Sequence, residues 1–157
     1  MLVANRVLEL KTEGLDDFRD ITPKLWGVLK ESGIRSGLLT VFCPGSTGAI
    51  TTIEYESGVL KDLKDALERI APTDHEYAHN VRWGDGNGVS HVRAALMKPS
   101  LTIPVVDGRL CLGTWQQVVF LDFDNRPRTR RVMIQVLGTD DREETSTEEY
   151  QSESPLL

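Results

Sequence analysis

Apolar and polar positions recur along this chain at two spacings, one suited to strands and one to helices. Residues 2–11, LVANRVLELK, alternate in part and predict an opening strand, and Glu13 to Asp20 is a polar, glycine-containing turn region. Thr22 and Pro23 then mark a helix start, with Thr22 as the cap and Pro23 at the first helical position, and Leu25, Trp26 and Leu29 fall on one face before Gly33 ends it. By that spacing Trp26 is expected in the core. GLLTVFC (37–43) and AITTIE (49–54) are rich in β-branched residues and predict two strands that pair across the turn PGSTG. From Gly58 to Ile70 the apolar positions Leu60, Leu63, Leu67 and Ile70 follow helical spacing, Lys61, Asp62, Lys64, Asp65 and Glu68 take the other face, and Pro72 closes the helix. Beyond Met97 the segments SLTIPVV, GRLCLG, WQQVVFLDF and TRRVMIQVLG read as strands separated by turns such as Val106-Asp107-Gly108 and Asn125-Arg126-Pro127. Connections this short cannot hold crossover helices. The expectation is therefore α+β: one compact domain with a largely antiparallel sheet or sandwich and about two helices on one side.

Length and composition narrow the class. With 157 residues the chain suits one domain, and 39% hydrophobic with 27% charged residues is ordinary for a globular protein. No apolar run approaches bilayer length, and MLVANRVLELKT lacks the marks of a secretory signal, so no membrane partner and a cytoplasmic location are expected. Cys43 and Cys111 each sit inside a strand-like apolar run and read as free thiols. The net charge of −6 is carried by residues 139–157, which hold seven acidic residues and one basic residue; residues 1–138 hold 17 of each sign. The expected organisation is a folded domain over 1–138 followed by an acidic, mobile tail over 139–157. A neutral domain has no basic footprint for nucleic acid.

The chemistry concentrates between Asp74 and Met97, DHEYAHNVRWGDGNGVSHVRAALM, which contains all three histidines. His79 and His91 flank Gly84-Asp85-Gly86-Asn87-Gly88, whose glycines permit a tight turn that brings the imidazoles together. With Asp85 or Glu54 they could hold a divalent ion such as zinc; they could equally be general acid and base, or hydrogen-bonded structural residues. His75, four residues before His79, would share a helical face with it only if Thr73 and Asp74 capped a short helix; otherwise it faces solvent. In the turn 44–48, Ser46 and Thr47 could hold a phosphate or simply form a loop. Arg126, Arg128, Arg130 and Arg131 are candidate donors to an anionic substrate, with alternation sending them to different faces. No nucleotide-binding glycine motif is present.

The ordered motifs GLLTVFCPGSTGAITTIEYE, YAHNVRWGDGNGVSHVRAALM, SLTIPVVDGRLCLGTWQQVVFLDFD and RTRRVMIQVLG closely resemble the YjbQ family over about residues 5–138. The resemblance implies a compact α+β domain with an extensive antiparallel sheet, assembly as a homotrimer, and activity as a secondary thiamine-phosphate synthase. It implies a site made of a turn histidine, a carboxylate on the following strand, and the histidines and asparagine of the glycine-rich segment. Glu54, His79, Asn87 and His91 match that pattern. Gly45 stands where many relatives have the turn histidine, so this chain has one imidazole fewer. The Gly113–Gln116 motif, GTWQ, also matches. The function expected from the resemblance is a transferase joining a pyrimidine methyl diphosphate to a thiazole phosphate with loss of pyrophosphate. In that reading a divalent ion (zinc or magnesium), Ser46, Thr47, Arg126 and Arg128 neutralise the phosphates, and His79 or His91 moves protons. The alternatives are a non-catalytic trimer binding a small molecule or metal, and a metal-assisted phosphate-ester hydrolase.

Overall fold

A computed structural model describes residues 1–140; from residue 141 onward the expected acidic tail lies outside the described residues. The larger of two sheets has the order β1 (Leu2–Thr12), β8 (Arg128–Thr139), β3 (Ser36–Phe42), β5 (Ser100–Val106), β6 (Arg109–Leu110). The smaller has the order β2 (Asp17–Asp20), β7 (Gln117–Asp122), β4 (Gly48–Ile53). Every pairing is antiparallel, as the short connections require. β1 lies along β8 from Leu2 opposite Gly138 to Thr12 opposite Arg128.

The larger sheet buries one face. Along β8, Val132, Ile134 and Val136 are buried while Met133, Gln135 and Leu137 are exposed, the two-residue period of a half-covered strand. The buried face meets Ile50, Val118 and Phe120 of the smaller sheet and Leu25 and Leu29 of α1 (Thr22–Ser32), forming the main core. The reverse face of the smaller sheet, with Ala49, Val119 and Leu121, is covered by Leu67 of α2 (Ser57–Ile70) and Ala94 of α4 (Gly88–Met97). β7 is thus covered on both sides, which accounts for its continuous apolar run Val118–Leu121. No helix is long and apolar enough to cross a membrane among the described residues.

Several sequence expectations change. The strands on either side of Pro44–Thr47 do not pair with each other: β3 joins β8 and β5, while β4 joins β7. Cys43 N donates to Pro99 O and Phe123 N to Thr47 O, so the turn carries the chain from one sheet to the other. A β7 that is apolar on both faces needs strand partners on both edges, and β4 is one of them. β2 lies within the segment read as a turn. Among the described residues there are four helices rather than two, because α3 (Ala78–Trp83) and α4 occupy the stretch read as a loop, and these helices are not all on one side of one sheet. α3 is too short to show a period, and the glycines before α4 disguise its start. Trp26 is not core: it is 38% exposed beside buried Leu25 and Leu29. Asp20 Oδ1, rather than a Thr22 cap, accepts from the first helical amide, and the Thr22 hydroxyl accepts from Val118 N. Both cysteines are free, Cys43 buried and Cys111 half-buried.

Candidate functional site

Two glycines and one asparagine build the histidine site. Gly84 ends α3 in the left-handed conformation, with φ of 70°, and its amide donates to Asn80 O at 2.8 Å. The Asn80 side chain then accepts from Gly88 N at 2.8 Å, pinning the first residue of α4 against α3. Gly88 leaves room for this approach, since a Cβ there would lie 2.5 Å from Tyr77 Cβ. The turn brings His79 and His91 together, with ring centroids 4.5 Å apart and planes inclined at 47°. Asp85 reaches His79 Nε2 at 3.3 Å. Asn125, in the turn after β7, donates from Nδ2 to Asp85 O at 2.8 Å and fastens the glycine turn to the smaller sheet. His75 stays exposed before α3, edge-on to Tyr77 and outside the cluster.

Asn87 is 8% exposed; its side-chain amide is assigned the orientation that its neighbours require, with the nitrogen rather than the oxygen toward Asp85 and His79, and the nitrogen then donates to Asp85 Oδ1 at 3.1 Å and lies 3.1 Å from His79 Nε2. An amide has two hydrogens, so it can serve both neighbours at once. In that arrangement Nε2 of neutral His79 is an acceptor, available as a base. Once protonated, Nε2–H can donate to Asp85 instead. The group can therefore take up and return a proton where His79 is 32% exposed, with the His91 imidazole alongside.

The other predicted residues are placed elsewhere. Glu54 follows the last residue of β4 and is exposed, while Thr47 precedes its first; six residues separate the two ends, roughly 20 Å of strand. The Glu54 carboxylate makes no hydrogen bond among the described residues and does not join the histidines. Nor do any three His, Cys, Asp or Glu side chains among the described residues form a group able to hold a metal. Two imidazoles lie side by side with the Asp85 carboxylate at hydrogen-bond distance from one of them.

The turn hydroxyls and arginines lead to a network that the sequence reading did not include. Asp122 and Asp124 are both 0% exposed. Arg130 donates to Asp122 from Nε at 2.7 Å and from Nη2 at 2.6 Å, and Arg128 donates from Nε to Asp124 at 2.6 Å. Thr12 donates to Asp122. Thr47 donates to Asp124 and accepts from Arg130, so it is engaged inside the protein, whereas Ser46 and Arg126 are exposed. Arg128 and Arg130 share the inward face of β8 and Arg131 points outward, so alternation does divide the arginines between faces. Burial raises the Asp124 carboxyl pKa, but hydrogen bonds from Arg128, the Asn125 amide and Thr47 overcome this and hold it below the usual carboxylate range. Burial likewise works against the charge of Arg130, and the paired Asp122 carboxylate more than restores it. The readable signal was Asp-x-Asp at the end of β7 and Arg-x-Arg at the start of β8, two same-face pairs whose charges balance when the strand ends meet.

The family described as UPF0047 protein YjbQ-like matches residues 6–139. A UPF0047 protein of Methanothermobacter thermautotrophicus is 44% identical over 138 residues, covering 88% of this chain and 94% of the relative. The UPF0047 protein YugU of Bacillus subtilis is 35% identical over 134 residues, covering 85% of this chain and 98% of the relative. Among solved structures, an uncharacterized conserved protein of the same family from Clostridium acetobutylicum superposes with a TM-score of 0.77 at 35% identity, covering 84% of this chain and 99% of that one. A hypothetical protein of Aeropyrum pernix superposes with a TM-score of 0.80 at 32% identity, covering 87% and 99%.

Proposed function

The chain belongs to the YjbQ-like UPF0047 family, and from that premise we propose that it is an acid–base enzyme of small phosphorylated substrates, a transferase similar to thiamine-phosphate synthase. The observation that supports this reading is the pairing of His79 with His91, backed by Asp85 and Asn87. In the proposed reaction the thiazole nitrogen attacks the methylene carbon of the pyrimidine, the C–N bond forms as the C–O bond to diphosphate breaks, and pyrophosphate leaves with the electron pair. His79 or His91 supplies a proton to the departing oxygen, and Asp85 and Asn87 hold the His79 ring in place. Ser46, Arg126 and Arg128 face the substrate phosphates in this reading. Among the described residues no three side chains form a metal-holding group, so the histidines act here through protons. Glu54 takes no part in proton transfer within one chain.

Incubating the purified protein with the two phosphorylated substrates and measuring pyrophosphate release and coupled product tests the proposal. Product formation that falls at least about 100-fold in His79→Ala and His91→Ala is expected from loss of a general acid. Hydrolysis of phosphate esters without coupling would favour the hydrolase reading, and binding without turnover the non-catalytic one.

The assembly proposed with this function is a homotrimer. The outer face of the larger sheet presents Val3, Val7, Leu38, Phe42, Met133 and Leu137, each between 37% and 56% exposed. Phe42 lies opposite Met133, which lies opposite Val7, and Leu38 lies opposite Leu137, which lies opposite Val3, so these form two apolar rows across three strands. A polar row, Thr40, Gln135 and Asn5, lies between them, and exposed apolar rows rimmed by polar groups suit an interface between copies.

A further inference from the structure

Arg130 is only 11% exposed, yet its guanidinium is not fully used inside the protein. Nε and Nη2 grip Asp122, and Nη2 also donates to Thr47 Oγ1 at 2.9 Å. Asp122 is in turn held by the Thr12 hydroxyl and by Asp124 N at 3.0 Å, so it cannot turn to meet the other edge of the guanidinium. Nη1 has no acceptor among the described residues. It lies 3.8 Å from where a side chain at position 45 would begin, and position 45 is glycine, with φ of 131° on the exposed turn Pro44–Ser46. The place beside Nη1 is left open by the absence of a Cβ.

A second guanidinium stands next to the first. Arg128 is gripped by Asp124 through Nε alone, is 33% exposed, and has no acceptor for its terminal nitrogens among the described residues. Asp124 Oδ2 lies 2.6 Å from Arg128 Nε and 3.6 Å from Arg130 Nη2, so one buried carboxylate oxygen spans the two cations. The exposed Ser46 hydroxyl belongs to the same turn. Rigidly held N–H donors beside an opening suit a tetrahedral oxyanion, because they need not reorganise to bind it. The two aspartates balance the two arginines in charge, so recognition would rest on directed hydrogen bonds rather than on a general positive field.

We propose that Arg130 Nη1, the free edge of Arg128 and the Pro44–Ser46 turn form a phosphate subsite, opened by Gly45, that receives the phosphate or diphosphate group of the substrate. This deepens the phosphorylated-substrate reading above and rests on it for the ligand's identity, but the residue that anchors the group is Arg130, with Thr47 a brace for Arg130 rather than a ligand. Inorganic phosphate and pyrophosphate are the probes, titrated calorimetrically into the full chain. Ser46→Asp places a carboxylate at the opening on an exposed position, and Arg130→Lys keeps a cation for Asp122 while removing Nη1. Each is expected to weaken binding by about tenfold or more, the loss of one charge-assisted hydrogen bond. Arg131→Ala, on the outer face, lowers the net charge by one, as Ser46→Asp does, and should stay within about twofold. Failure of the parent to bind either anion, or equal losses in all three variants, overturns the proposal. If Arg130→Lys loses its native circular dichroism, Ser46→Asp alone decides. Because the readout is binding, anion binding with these variant effects but no pyrophosphate release would sink the transferase reading and leave the subsite standing.

Discussion

At the scale of single residues, the site depends on side chains whose partners are buried. Asp122→Ala leaves Arg130 buried without its carboxylate, a loss of about 3–5 kcal/mol expected from breaking a buried pair and measurable by urea unfolding. Arg128, being more exposed, can recover water, so Asp124→Ala should cost less. The sign of the pH effect follows from Asp124. Its folded-state pKa is depressed below the unfolded value, so its contribution is present above the unfolded pKa and lost as pH falls through the folded one. Stability should decline in acid below the ordinary carboxylate range, and Asp124→Asn should flatten that decline; an unchanged acid limb would show that other carboxylates carry it. For the histidines, equilibrium dialysis with zinc or magnesium should give weak, substoichiometric binding that disappears in His91→Ala. Tight stoichiometric binding would mean that donors from another copy complete the site.

At the scale of elements, the α3–turn–α4 unit sets the geometry of the His79–His91 pair. Gly88→Ala would press a methyl group into Tyr77 Cβ and within 2.9 Å of Asn80 Oδ1, forcing α4 away from α3. Overpacking of this kind costs about 1–3 kcal/mol, seen as a lower melting temperature, and turnover should fall further than stability because His91 rides on the displaced helix. This unit was only half legible in the sequence. The glycines showed that the chain turns and that His79 and His91 could meet, yet no period marked a six-residue α3 or the start of α4. α2 was legible because Leu60, Leu63 and Leu67 repeat at helical spacing; its actual cap, the Glu56 side chain accepting from Gly58 N and Val59 N, is a local hydrogen bond that no repeat reveals.

At the scale of the whole molecule, the two exposed apolar rows on the larger sheet predict self-association. Light scattering should report about three chains, and Phe42→Glu with Met133→Glu should give monomers that keep their circular dichroism, since both side chains already face outward. A monodisperse parent monomer at micromolar concentration would remove the assembly. The strands other than β2, their antiparallel sense and the meeting of His79 with His91 across the glycine turn were determined by the sequence alone, because alternation, short turns and nearby glycines act over a few residues. Three matters were decided only by the tertiary structure. β4 pairs with β7 rather than with its neighbour β3 because a strand covered on both faces needs partners on both edges. Glu54 lies apart from the histidines because β4 holds it at the end opposite Thr47. Asp122, Asp124, Arg128 and Arg130 form one buried network because β7 and β8, though consecutive in the chain, belong to different sheets, and their facing charged side chains are buried together only once those sheets have packed.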